Sequence, residues 1–167
     1  MKKAGLYFHT VRYLKLQQVL YRIWLRFTKP RIDDSQAPAV RKKTAPFNTP
    51  ARRATSLLDS DTFYFLNQSG SLFTLGWENT SKSGSPSMLW RYNQHYFDDL
   101  NAVNSSERTE WHLSLLERWV ADNKPGSGFA WDPYPTSLRI VNWIKWSYAG
   151  NQLPATCLQS LAVQVRF

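Results

Sequence analysis

The chain has 167 residues, 15% of them aromatic, and a formal net charge of +9. That length predicts one domain or part of one, and no apolar run approaches the ~18 residues that a membrane-spanning helix needs. The single cysteine, Cys157, excludes an internal disulfide.

The charge is uneven. Residues 1–53 carry thirteen Lys/Arg against Asp33 and Asp34, a net +11, while residues 54–167 carry eight against ten, a net −2. A basic excess of this kind favours anionic partners: nucleic acid, acidic lipid or acidic polysaccharide.

Residues 6–28 are predicted to be helical. Val11, Leu14, Leu16, Val19, Leu20, Ile23, Trp24 and Phe27 form an apolar stripe, and Lys15, Arg22 and Arg26 lie mostly off it. Pro30 stops the helix. A basic amphipathic helix can lie on a membrane surface or pack on its own protein. It is a poor secretory signal, because Lys15, Gln17, Gln18 and Arg22 interrupt the apolar stretch. Residues 30–55 read as a solvated linker, punctuated by Pro30, Pro38, Pro46 and Pro50 and charged by Arg41, Lys42, Lys43, Arg52 and Arg53. That placement of charge argues against a nucleic-acid site.

Thr62 to Leu66 reads as a strand, Asn67 to Gly70 as a turn, and Leu72 to Leu75 as a second strand. A polar Ser- and Gly-rich loop follows over 79–86. An aromatic cluster then runs from Leu89 through Trp90, Arg91, Tyr92, Asn93, Gln94, His95, Tyr96 and Phe97 to Leu100. Asn104 with Glu107 predicts a capped helix start, and the helix carries Trp111, Leu115, Leu116, Trp119 and Val120 on one face. Asn123 to Gly126 ends it.

The stretch Trp131 to Trp146 holds three of the eight tryptophans. Pro133 and Pro135 are expected to keep its first part extended. Thr136 or Ser137 then caps a helix that ends at Gly150. Leu138, Val141, Ile144 or Lys145, and Tyr148 recur at helical spacing, and Arg139, Asn142, Trp143 and Trp146 share a neighbouring face. A cation, an amide and two indoles on one face suit a sugar-binding wall. The alternative is a buried aromatic helix with Asn142 satisfied inside. A last helix begins near Thr156 with Leu158, Leu161, Ala162 and Val165 on one side. Cys157 falls at a buried apolar position. The sequence stops at Phe167 inside this pattern without a stop signal, which predicts a chain cut short with part of that helix uncovered.

His9, His95 and His112 are scattered, with no metal-ligand spacing, phosphate loop or nucleophile elbow. His95 is the exceptional one, standing among Trp90, Arg91, Tyr92, Asn93 and Tyr96. Arg91 can pair a sugar carboxylate, and Tyr or His can move a proton. The alternative is an aromatic corner in which Asp98 or Asp99 pairs Arg91.

The runs Leu89 to Leu100 and Trp131 to Trp146 resemble the N-terminal region of heparinase II/III-like polysaccharide lyases, and Leu153 to Gln164 is similar too. The resemblance covers roughly residues 62–167. It implies an incomplete α/α toroid; with the helical hairpin array, small β-hairpin and basic N-terminal helix read above, the expected fold is mainly α. The resemblance implies β-elimination on an acidic, uronic-acid polysaccharide, without a redox cofactor. The family's Gly-Asn-His and Tyr-His motifs are not in this sequence. No catalytic residue is carried over, and the chain is expected to be inactive alone. The missing C-terminal part of the enzyme is an expected partner. The expected substrate contacts are Trp90, Arg91, Tyr92, Asn93, His95, Tyr96, Trp131, Tyr134, Arg139, Asn142, Trp143 and Trp146. The predicted layout is a basic helix over 1–29, a linker over 30–55 and a toroid segment over 56–167. A non-catalytic carbohydrate-binding or assembly module is the second reading, and a basic nucleic-acid-binding protein a weaker third. Glycan-degrading family members often work in the periplasm; without a signal peptide the cytoplasm stays open.

Overall fold

A computed structural model describes residues 13–28, 31–42, 52–78 and 86–167. The expected helix start at residue 6 and the polar loop over 79–85 lie outside the described residues. The chain divides into two compact units, Met1–Arg31 and Ile32–Phe167.

In the first unit, helix α1 spans Leu16–Phe27; the helix expected over 6–28 is not continuous, because Tyr13 and Leu14 form a turn and bend and Lys15 is extended. Its start is held by the Gln18 side chain, whose Oε1 accepts the Lys15 backbone N–H at 3.0 Å. Such a bond satisfies a donor that the first turn leaves open.

The second unit is mainly helical with a small two-stranded antiparallel sheet. Strand β1, Thr62–Phe65, pairs with β2, Gln68–Ser71, in the register Thr62 to Ser71 and Phe65 to Gln68. The turn is only Leu66 and Asn67, both at positive φ. That geometry matches the strand twist and brings the return strand in sooner than expected. Leu72–Leu75, expected as a strand, is instead a single helical turn, α2. The Ser71 hydroxyl accepts the Phe73 N–H at 3.1 Å and diverts the chain into it.

Four longer helices follow: α3 (Met88–Tyr96), α4 (Thr109–Asp122), α5 (Pro133–Tyr148) and α6 (Ala155–Arg166). Helix α3 packs on α5, α4 on α6, and α5 on α6. The expected capping box at Asn104 does not form. Asn104 sits at φ 55 without a side-chain cap, and a 3-10 turn over Ser105–Arg108 precedes α4. Helix α5 starts earlier than expected. Pro133 and Pro135 stand inside its first turn, where the missing N–H groups have no helical acceptor to lose.

The core is aromatic. Trp90, Trp119, Trp143 and Trp146 are fully buried. Trp119 stands edge-on to Phe97 and Trp143, with ring centroids 6.3 and 5.7 Å away. Cys157 is buried as expected, and burial pushes its thiol up, to about 11.

Part of the expected solvated linker is a strap. Gln159 of α6 accepts the Ala37 N–H at 2.7 Å, and its amide donates to the carbonyls of Asp34 and Ser35. Arg166 donates to the carbonyls of Ser35 and Gln36. Arg53 docks as well, bridging to Ala102 and pairing Asp98 at 2.9 Å. The backbone groups of a proline-punctuated segment lack a ladder of their own, and α6 supplies their partners. No helix among the described residues is long and apolar enough to cross a membrane.

Candidate functional site

The two aromatic runs meet where α3 and its following turn lie against α5. Asn142 on α5 donates to the Tyr96 carbonyl and to Asp98 Oδ1, both at 2.8 Å. Arg139, one turn earlier, reaches the His95 carbonyl at 3.4 Å and the Ala130 carbonyl at 2.9 Å through Nη1. Its Nε donates to Gln164 Oε1 at 2.8 Å and its Nη2 to Thr136 Oγ1 at 3.3 Å. The guanidinium carbon also lies over Trp119, 3.9 Å from the ring centroid. Burial pushes the Arg139 pKa down, to about 9, which leaves it charged at neutral pH.

These partners decide what the expected sugar contacts do. Trp90, Arg91, His95, Tyr96, Trp131, Arg139, Asn142, Trp143 and Trp146 are all buried. A side chain sealed in the core does not touch a polysaccharide in this structure. Arg91 is neither a carboxylate clamp nor the partner of Asp98 or Asp99. Its Nη1 donates to the carbonyls of Leu75 and Gly76, at 3.2 and 3.0 Å. It closes the end of α2, where carbonyls lack helical donors.

His95 is a core acceptor. Its Nδ1 accepts the Trp119 indole N–H at 3.0 Å. Burial, then the nearby Arg139 charge, push its pKa down to about 3, with a smaller opposing pull from the Trp77 backbone and a further push from Arg91. The ring is therefore neutral at ordinary pH and has no path to a substrate proton. The sign of its pH effect follows. Its folded pKa lies below the unfolded value near 6.5, so its stabilising contribution is full above about pH 6.5 and falls as pH drops toward 3. Between pH 7.5 and 5 the chain is expected to lose about 2 kcal/mol through this ring. His95→Asn keeps an acceptor near Nδ1 without a titrating proton. Urea melts at the two pH values should show a flatter pH dependence in that variant; an equal slope would remove His95 as the cause.

Three of the expected contacts remain accessible: Tyr92 and Asn93 are partly exposed, and Tyr134 is exposed. The Tyr92 hydroxyl donates a short hydrogen bond to Asp132 Oδ2. That bond, with burial, raises the Tyr92 pKa. The Tyr92 ring lies 6.1 Å from Phe129, and Tyr134 stands edge-on to Tyr96 at 5.6 Å. Burial pushes the Tyr96 hydroxyl up to about 12. The result is a small aromatic surface with a carboxylate and a phenol at its rim; Asn93 stands apart from it, its amide donating to the Leu89 carbonyl and its side lying toward Phe63 and Phe65. The surface offers ring faces for a pyranose and donors and acceptors for hydroxyls. Asp132 was not among the expected contacts. Its signal was its place beside Pro133, at the N-cap position of α5.

Two further features were missed in the sequence. Asp99 gathers four donors: the Ser56 and Leu57 N–H groups on Oδ1, and Arg108 Nε and His112 Nε2 on Oδ2. Burial raises its pKa, but the hydrogen bonds from His112, Ser56, Arg108 and Leu57 together outweigh this and hold it at about 2. An apolar groove of about 330 Å³ runs between the strap at Ala37–Val40 and α5 and α6, lined by Ile144, Tyr148, Leu158 and Leu161 among others. Val165, on the expected uncovered face of α6, also lines it and is 61% exposed. Among the described residues no group of His, Cys, Asp and Glu is arranged to hold a metal ion.

No family model matches the chain, and neither a curated protein nor a solved structure matches it.

Proposed function

We propose that the chain is a helical segment of a heparinase II/III-like, acidic-polysaccharide lyase. In this reading the helix pairs belong to an α/α toroid, and the segment supplies scaffold and saccharide contacts. What supports it is the packing of the two family-like runs, 89–100 and 131–146, against each other through Asn142 and Arg139. Long-range hydrogen bonds of this kind give both runs a common structural reason to carry their polar residues.

The proton-abstracting and leaving-group-protonating residues of the family's elimination lie in motifs that this sequence lacks. His95 is sealed and Tyr96 is held by burial in its neutral form. The surface left for sugar is Tyr92, Asp132 and Tyr134. A pyranose stacks on Tyr134, and its hydroxyls meet Tyr92 and Asp132.

The test is made on the chain alone with heparan sulfate, alginate and hyaluronan oligosaccharides. No ultraviolet absorbance from an unsaturated uronate is expected to develop. Weak oligosaccharide binding is expected, reduced about ten-fold by Tyr134→Ala, a loss of about 1.4 kcal/mol. Because Tyr134 is 60% exposed, its melt should barely change. A steady absorbance rise would overturn the non-catalytic assignment. Absence of binding to all three glycans would overturn the saccharide-contact reading.

A further inference from the structure

We propose that helix α1 docks on an anionic lipid surface, lying in the plane of the bilayer interface. The inference is independent of the polysaccharide reading, because it rests on the first unit alone.

The first observation is the charge. Residues 1–32 contain Lys2, Lys3, Arg12, Lys15, Arg22, Arg26, Lys29 and Arg31, and the first acidic residue of the chain is Asp33. A segment with eight cations and no carboxylate is attracted to a negative surface and has no internal counter-charge to quench it.

The second observation is where the apolar residues stand. At 100° per residue, Leu16, Leu20, Ile23 and Phe27 fall in one narrow stripe, with Val19 and Trp24 at its edges and Gln18, Arg22 and one apolar residue, Leu25, opposite. A helix packed in a protein core hides such a stripe. Here the four stripe residues are between 51% and 82% exposed, and Trp24 is 56% exposed. Trp24 and Tyr21 lie ring to ring, 5.7 Å apart. Aromatic side chains with a polar tip suit the headgroup level of a bilayer.

The third observation is length. Twelve residues span ~18 Å at 1.5 Å each, too short to cross a hydrocarbon core of ~30 Å. A short, strongly two-faced helix with a cationic side therefore lies on the interface, stripe inward. Nucleic acid would meet the charge but leave the stripe in water. An anionic bilayer satisfies both.

The full chain is mixed with vesicles of phosphatidylcholine alone and of phosphatidylcholine with phosphatidylglycerol, then sedimented. Binding to the anionic vesicles is expected to be at least ten-fold stronger, and to weaken as salt rises. The paired change Leu20→Asp and Ile23→Asp should lower it ten-fold or more, and Arg22→Glu several-fold. Phe73→Asp alters an apolar side chain that is 83% exposed outside this helix, and should leave it unchanged. Melts of the Leu20→Asp, Ile23→Asp variant should match wild type, since α1 and the Ile32–Phe167 unit are separately compact. Equal binding to neutral vesicles, no binding, or full binding by that variant would overturn the proposal. Pelleting without vesicles would overturn it in favour of self-association. Displacement from vesicles by short duplex DNA that both proteins bind equally would assign the charge to nucleic acid instead.

Discussion

Arg139→Ala is expected to destabilise the chain by about 4 kcal/mol, a large fraction of the ~5–15 kcal/mol that a domain has to lose. The guanidinium fills space against Trp119 at 3.9 Å. It also ties four places together: Gln164 on α6, Thr136 on α5, and the carbonyls of Ala130 and His95. Truncation leaves several buried acceptors unpaired, each costing about 1–3 kcal/mol, and a cavity beside the indole. One effect opposes this. The described hydrogen-bond partners of Arg139 are neutral, so removing the charge relieves a desolvation cost that pushes its pKa down to about 9. Several lost partners plus a cavity outweigh that relief, because the charge is already spread over acceptors and an aromatic face. Lys145→Ala, on the same helix but only partly buried, is the control and should cost under about 0.5 kcal/mol. Far-UV melts of the two variants decide the matter. A wild-type melt for Arg139→Ala with weakened oligosaccharide binding would return Arg139 to the sugar wall.

That single residue shows what periodicity could and could not disclose. The spacing correctly grouped Arg139, Asn142, Trp143 and Trp146 on one face of α5. It did not say which face turns inward. Val141, Ile144 and Tyr148 were the apolar stripe by count, yet they are exposed, while the polar-looking face is the core face. Two tryptophans bury a large area, and Arg139 and Asn142 between them find partners from elsewhere. Those partners, at 95–98, 130 and 164, are distant in sequence, so no local pattern reveals them. The alternative reading, a buried aromatic helix with its Asn satisfied, describes what the structure places there. Cys157 was legible because burial of a small side chain at an apolar position needs only local spacing. The Leu66-Asn67 turn was not, since a leucine at positive φ carries no sequence mark of its conformation. The strap over 33–37 was missed for a related reason. Proline and charge read as solvated chain, and Gln159 and Arg166 on α6 make it otherwise.

Asp99→Ala is expected to cost about 3–5 kcal/mol, the loss typical of breaking a buried ion pair from one side. The sequence suggested Asp98 or Asp99 as the partner of Arg91. The structure gives Asp99 to Arg108 and His112 instead, at 2.9 and 2.8 Å. Its other oxygen accepts the Ser56 and Leu57 N–H groups, at 2.7 and 3.0 Å. One carboxylate thus joins the segment before β1 to the turn ahead of α4. Removing it strands the Arg108 charge and two backbone donors in a site that admits little water. Asp99→Asn separates shape from charge. Its carbonyl oxygen can still accept from Ser56 and Leu57, but its amide turns N–H toward Arg108. A smaller loss of about 2 kcal/mol is expected for it at pH 7. The pH dependence gives an independent reading. The folded pKa of about 2 lies below the ordinary 3.8, so this stabilising contribution is full above about pH 4 and is lost as pH falls toward 2. The gap between wild type and Asp99→Asn should therefore hold from pH 7 to 4 and shrink below it. This window lies at and below the lower end of the His95 window, so the two titrations separate in a series of melts. A gap that stays constant down to pH 2 would mean that Asp99 acts through its shape alone, and the ion pair with Arg108 would contribute nothing measurable.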